Sequence, residues 1–191
     1  MTELILASAS VHRRHQLQQL QMPFEHQSAE VDETLKPSER PKDRALRLAI
    51  AKAETVKKLF PETIVIGSDQ VCACGDTVFR KPKSRDNNIQ HLIAFSGQAV
   101  FFFTAVCVLG NDKKYYHGIN ETRVQFRDLS EAEIIRYVDK EQAYDCAGGF
   151  KMEQMGLSLM TSVHSDDPSA LMGLPLIQLC AFLRELGVEI P

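Results

Sequence analysis

Apolar and polar positions fall in blocks along this chain, and the blocks change period. Leu4 to Ala7 are apolar without a break and predict a short strand; Leu17 and Leu20 then share one face of a helix over Val11 to Leu20. Met22-Pro23 ends that helix, and Phe24 to Ser28 predict a second strand. Residues 29 to 43, AEVDETLKPSERPKD, are polar and carry two prolines, which predicts a long surface loop of the kind that carries function. A helix follows over Arg44 to Phe60, with Leu46, Ile50 and Ala53 on its apolar side and Pro61 at its end. Thr63 to Gly67 (TIVIG) predict a strand covered on both faces, and VCACGDTVF a hairpin turning at Gly75-Asp76. Asn87 to Phe95 predict a helix, Gln98 to Leu109 and Glu121 to Phe126 longer strands, and Ser130 to Val138 another helix. The last helix runs from Leu176 to Leu186 and stops at Gly187. No repeat, low-complexity segment or linker intervenes. The order predicts an α/β fold: one continuous domain over residues 1 to 191, with a mixed sheet and a cleft.

Composition narrows the function classes. With 191 residues and 44% hydrophobic content, the chain can bury one core, or one domain with two lobes. A net charge of -3 gives no global support to nucleic-acid or membrane-surface binding. No stretch approaches the roughly 20 apolar residues of a membrane span, and Ser8 cuts short any signal-peptide core. A cytoplasmic protein is expected. Five cysteines, at 72, 74, 107, 146 and 180, form no CxxC pair, so free thiols are expected rather than disulfides or a zinc knuckle.

The candidate chemistry starts at the first strand–helix junction, LILASASVHRRHQL. Small polar residues there place free backbone N–H groups and the positive end of a helix at one point, which suits an anion. Ser8 and Ser10 offer hydroxyl donors, and Arg13 and Arg14 offer guanidinium groups for phosphate oxygens. Ser10 as a plain N-cap beside two solvated arginines explains the same residues. Neither a Walker loop nor GxGxxG is present. Asp69 is expected at the carboxyl end of the TIVIG strand, where it would bind a divalent cation or take a proton from an attacking water, unless it is a turn residue. Glu33, on the long polar loop, would be a metal ligand from the other side of a cleft. Lys52 interrupts RLAIAKAE and Lys81 precedes a proline in RKPK; solvated lysines fit the same positions.

Taken together these residues suit a cation-assisted reaction on a polyphosphate. LASASxxRR at 6 to 14, EVDE at 30 to 33, RLAxxKA at 47 to 53, GSDQV at 67 to 71 and KP at 81 to 82 resemble the Maf family of nucleotide pyrophosphatases. So do SG at 96 to 97, TA at 104 to 105, DCAGGFKMEQMG at 145 to 156 and GLPL at 173 to 176. The resemblance implies a mixed twisted sheet flanked by helices, with two lobes around a deep cleft. It implies hydrolysis of a nucleoside triphosphate to the monophosphate and pyrophosphate with a divalent cation, Mg²⁺ or Mn²⁺, in enzymes that clear non-standard nucleotides. Ser8, Ser10 and Arg13 match the phosphate-binding loop; Glu33, Lys52 and Lys81 match charged cleft positions. Asp69 matches the proton acceptor and, with Glu33, a metal ligand. A homodimer is left open by the resemblance.

Base choice in the family follows three positions, here His12, Gln70 and Glu153. Gln70 and Glu153 resemble the subgroup acting on 7-methyl-GTP rather than the one acting on dTTP and UTP. The chemistry agrees: guanine presents N1–H and an exocyclic amine to a carboxylate, whose charge also attracts a methylated, cationic ring. Two positions depart from the pattern, Val11 where proline usually starts the helix and His12 where tryptophan often stands. A dTTP/UTP pyrophosphatase is the alternative within the family. Outside enzymes, the alternative is a nucleotide-binding regulator linked to septum formation.

Overall fold

The computed structural model describes residues 4–111 and 114–190. A seven-stranded mixed sheet forms the centre. Its strands are β1 (Leu4–Leu6), β2 (Glu25–His26), β3 (Ile64–Cys74), β4 (Thr77–Phe79), β5 (Ala99–Leu109), β6 (Tyr115–Phe126) and β7 (Met160–His164). The spatial order is β2-β1-β3-β5-β6-β7, parallel from β2 to β3 and antiparallel beyond, with β4 on a second edge of β3. The helices are α1 (Val11–Gln18), α2 (Pro41–Lys57), α3 (Arg85–Phe95), α4 (Glu131–Glu141) and α5 (Leu176–Glu185). No described helix is long and apolar enough to cross a membrane.

Three apolar clusters cover the sheet. Ala45, Ala49, Ala53 and Val56 of α2 pack on Val65, Val71 and Cys107 on one face. Leu17, Leu179 and Leu183 of α1 and α5 meet Leu6, Ile66 and Val106 on the other. At the far end, Leu92 and Phe95 of α3 and Ile134 and Val138 of α4 enclose Phe102, Phe126 and Phe150. The first two clusters make one lobe and the third makes the other.

The departures from expectation have local causes. The TIVIG strand does not end at Gly67; it runs on to Cys74, because every residue from Val65 to Cys74 pairs with β5. Asp69 therefore sits in mid-strand and not at a strand end. The hairpin turn is where it was expected, with Cys74 opposite Thr77, but only Gly75 takes a positive φ. α2 starts at Pro41, where proline's missing N–H costs nothing in the first turn, so the loop is shorter than 29 to 43. Its buried stripe is alanine-rich, and Leu46 and Ile50 are only partly covered. β2 shrinks to two residues, and β6 begins at Tyr115 rather than Glu121. Ser130 caps α4 through a full capping box with Glu133.

The alanine stripe reflects how closely α2 lies on β3. A Cβ at Gly67 would stand 2.2 Å from the Ala49 carbonyl oxygen and 2.8 Å from Ala53. Only glycine allows that approach. Gly67→Ala is expected to lift α2 off the sheet and destabilise the protein by about 2 kcal/mol or more, a Tm drop of at least about 4 °C in a thermal melt. Because α2 also carries Lys52, turnover measured well below that Tm should fall as well.

Candidate active site

β1 covers β3 only along Ile64–Ile66, and β4 covers it only along Cys72–Cys74. Between them residues 67–71 present an open edge. There a cavity of about 580 Å³ forms, lined by three consecutive residues of β3, Asp69, Gln70 and Val71. Neighbouring strand residues point to opposite faces, so a cavity reaches all three only when it lies at the edge. Its walls come from α1 (His12, Arg13), α2 (Arg44, Lys52), the loop at Glu33, the segment after β4 (Lys81, Lys83) and residues 145–153.

At one end, Lys52 holds two carboxylates. Its Nζ lies 2.6 Å from Asp69 Oδ1 and 2.9 Å from Glu33 Oε1. Lys52 and Asp69 are nearly covered, with side chains 12% exposed, whereas that of Glu33 is 57% exposed. Burial acts to raise the Glu33 carboxyl, but the hydrogen bond and charge of Lys52, with Arg44 and Lys81 behind it, bring it below the usual carboxylate range. The Glu33 loop is fastened to α2 through its backbone. Arg44 Nη2 donates to the Glu33 carbonyl (2.6 Å), and Arg47 donates to the carbonyls of Asp32 (3.3 Å) and Thr34 (3.1 Å). Arg47 also pairs with Glu39, whose pKa those bonds hold down to about 2, so this clamp stays ionised at neutral pH.

Arg13 enters the cavity from α1. Its Nε donates to the Gly173 carbonyl at 2.7 Å, and its Nη1 lies 3.5 Å from Ser8 Oγ. Burial lowers its pKa, while Asp69 and Glu33 oppose that shift. Ser8 and Ser10 stand behind this arginine and do not line the cavity. Ser10 is the N-cap of α1, accepting from Arg13 N, and Ser8 accepts from Ser10 N. Arg14 points elsewhere, to His26 Nε2 at 2.7 Å. Thus Arg13 alone of the pair faces the cavity. Lys81 is at the exposed mouth.

The other end holds the three expected base-reading positions. Gln70 Nε2 donates toward Thr104 Oγ1 (2.9 Å) and the carbonyls of Ala170 and Leu171 (3.0 Å each). Carbonyls only accept, so the amide orientation is fixed and Gln70 Oε1 is left as an acceptor. Glu153 lies in the loop after Phe150, its Oε1 3.5 Å from His12 Nδ1. His12 Nε2 approaches Cys146 Sγ at 3.7 Å, so this histidine spans the cleft.

Several residues that complete the site carried no individual signal. Arg44 and Lys151 line the cavity, and the carbonyls of 170–173 orient Gln70, Arg13 and Ser68, whose Oγ donates to Gly173 at 2.9 Å. Main-chain carbonyls have no side-chain signature. Lys151 lay inside the quoted DCAGGFKMEQMG segment, which was the signal available for it. Asn88, fully buried on α3, donates to the Gly149 carbonyl at 2.8 Å and fixes that segment at a positive φ.

As to a cation, no group of three or more His, Cys, Asp or Glu residues able to hold a metal occurs among the described residues. Glu33 and Asp69, both within 2.9 Å of one nitrogen, still make a partial oxygen shell. Magnesium characteristically takes one or two carboxylates and completes its shell with phosphate oxygens and water, so the pair fits a cation carried with a polyphosphate.

Known proteins resemble this chain over nearly its whole length. A protein of Xanthomonas axonopodis pv. citri (strain 306) named 7-methyl-GTP pyrophosphatase is 47% identical over 191 residues, covering 100% of both chains. One of the same name from Colwellia psychrerythraea (strain 34H) is 39% identical over 191 residues, covering 100% of this chain and 96% of that one. Among solved structures, the Staphylococcus aureus Ham1 protein superposes with a TM-score of 0.56 at 18% identity, over 96% of this chain and 99% of that one, a likeness of fold. The Maf-like protein family matches residues 3–186, and with full-length relatives at this identity the chain belongs to that family.

Proposed function

We propose that the protein hydrolyses 7-methyl-GTP to 7-methyl-GMP and pyrophosphate. The observation that carries this reading is the asymmetry of the cavity. One end gathers Arg13, Lys52 and Lys81 with two carboxylates; the other offers the acceptors Gln70 Oε1 and Glu153, beside His12 and a Lys151 that Glu141 already engages. A triphosphate suits the first end, and a purine edge with adjacent N–H donors suits the second. The names of the Xanthomonas and Colwellia relatives support the same substrate.

In the proposed reaction Arg13 and Lys81 hold phosphate oxygens, and Lys52 keeps Asp69 aimed at the reacting centre. Asp69 accepts a proton from water as the water oxygen bonds to the α phosphorus and the bond to the β-phosphate oxygen breaks. Glu33 and Asp69 are the residues that would hold Mg²⁺ or Mn²⁺, which would neutralise charge on the phosphates. Lys52, buried between both carboxylates, holds them in register before substrate arrives.

Three outcomes are expected. With purified protein, 7-methyl-GTP and Mg²⁺ or Mn²⁺, the first product is pyrophosphate; release of inorganic phosphate would contradict α–β cleavage. Asp69→Asn should lower kcat by about 10²–10⁴-fold, since an amide takes no proton, while nucleotide binding measured by calorimetry is largely kept. A joint collapse of binding and turnover would make Asp69 chiefly a metal ligand. Glu153→Gln should lower kcat/KM for 7-methyl-GTP by about ten- to a hundredfold and far less for UTP, because a charged acceptor is worth about 1.5–3 kcal/mol to a donor pair that pyrimidines lack. Equal losses on both nucleotides would sink the base-reading role.

A further inference from the structure

Among the described residues, two buried carboxylates lie outside the reacting end of the cavity. Asp167 is accounted for by the chain turns it caps, since it accepts from Ser169, Ile177 and Gln178 backbone N–H groups. Glu141, in the last turn of α4, does something else. Its Oε1 is 3.1 Å from Lys151 Nζ, its carbonyl oxygen accepts from the same ammonium at 3.2 Å, and its Oε2 accepts from Met155 N at 3.1 Å. The side chains are 3% exposed for Glu141 and 21% for Lys151. Lys151 N in turn donates to Tyr137 Oη at 3.1 Å. The loop that carries Glu153 is thus pinned to α4 on both sides of it.

We propose that Glu141 is a specificity-positioning residue: it cancels the charge of Lys151, so that Glu153 meets a cationic base without Lys151 competing for it. The inference rests on the reading of the substrate given above and deepens it. Lys151 lines the cavity and stands two residues before Glu153. Both charges act on one nearby spot. The Cys146 thiol is pushed up to about 11 by burial first, with Lys151 working to lower it and Glu153 to raise it, and with Lys81 and Asp145 opposing each other behind them. An ammonium left unpaired there would oppose a methylated, positively charged purine and would leave the neutral parent base almost untouched. Paired with Glu141, it adds no net charge, and Lys81 is countered there by Asp145, so the exposed Glu153 carboxylate can attract the base. A lysine–glutamate pair whose lysine stands two residues from a recognition carboxylate therefore acts on charge selection, not only on loop shape.

The test compares kcat/KM for 7-methyl-GTP and for GTP, two substrates that differ by one methyl group and one positive charge. Glu141→Gln should lower the 7-methyl-GTP/GTP ratio by about tenfold, the effect of one unpaired charge several ångströms away at the effective dielectric of a protein cavity. Adding Lys151→Gln to that variant replaces the ion pair by a neutral hydrogen-bonded pair and should restore the ratio to within about twofold of wild type. Equal slowing of both substrates in Glu141→Gln, or a double variant that stays as unselective as the single, overturns the proposal. Should Glu141→Gln fail to give a cooperative melt, Lys151→Gln alone decides. Its ratio stays at or above the wild-type value if the proposal holds, and a fall of more than about threefold refutes it. A wild-type protein that leaves 7-methyl-GTP intact would refute the substrate reading instead, before any variant is compared.

Discussion

The site depends on one constraint, that β3 is longer than the strands beside it on one edge. β5 pairs it continuously from Val65 to Cys74, while β1 and β4 leave residues 67–71 uncovered between them. A sheet edge is ordinarily something a protein must hide. Here the gap is short and lies inside the cleft, so the exposed edge becomes the floor of a cavity. Adjacent residues that point to opposite faces can then serve one ligand, Asp69 toward α2 and Gln70 toward the 168–173 segment.

Each face supplies its own rigid support. On one, the Gly67–Ala49–Ala53 contact sets the height of α2 over the sheet and with it the reach of Lys52. On the other, successive carbonyls do the work: Ala170 and Leu171 take the Gln70 amide, and Gly173 takes both Arg13 and Ser68. Thr104, fully buried on β5, ties Ala170 to the sheet with its hydroxyl at 2.9 Å. The groups expected to touch phosphate and base are thereby fixed by backbone and by small residues, which leave few alternative positions.

How far this was legible from the sequence varies with the physical origin of each feature. Strands and helices with a clear apolar period were placed within a few residues, because period and burial are the same signal. The extension of β3 past Gly67 was not legible, since Ser68, Asp69 and Gln70 read as turn residues and only pairing with β5 makes them strand. Asp69, Lys52 and Glu33 were named separately, and the fold brings them onto one nitrogen. By residue type Arg13 and Arg14 looked equivalent, and the family resemblance singled out Arg13; helical phase separates them, one facing the cavity and one His26. Ser10, offered as either an anion donor or a plain cap, is the cap. Glu141 and the carbonyls of 170–173 escaped notice because their roles arise from contacts 10 or more residues apart in sequence.

The five free cysteines bear on the protein's chemical durability. Burial raises the pKa of every one of them, Cys107 to about 12 and Cys146 to about 11. Peroxides and electrophiles attack thiolate, not thiol. Cys146, which lines the cavity, therefore carries less thiolate at neutral pH than an ordinary cysteine, which slows its reaction with peroxides and alkylating agents that reach the cleft.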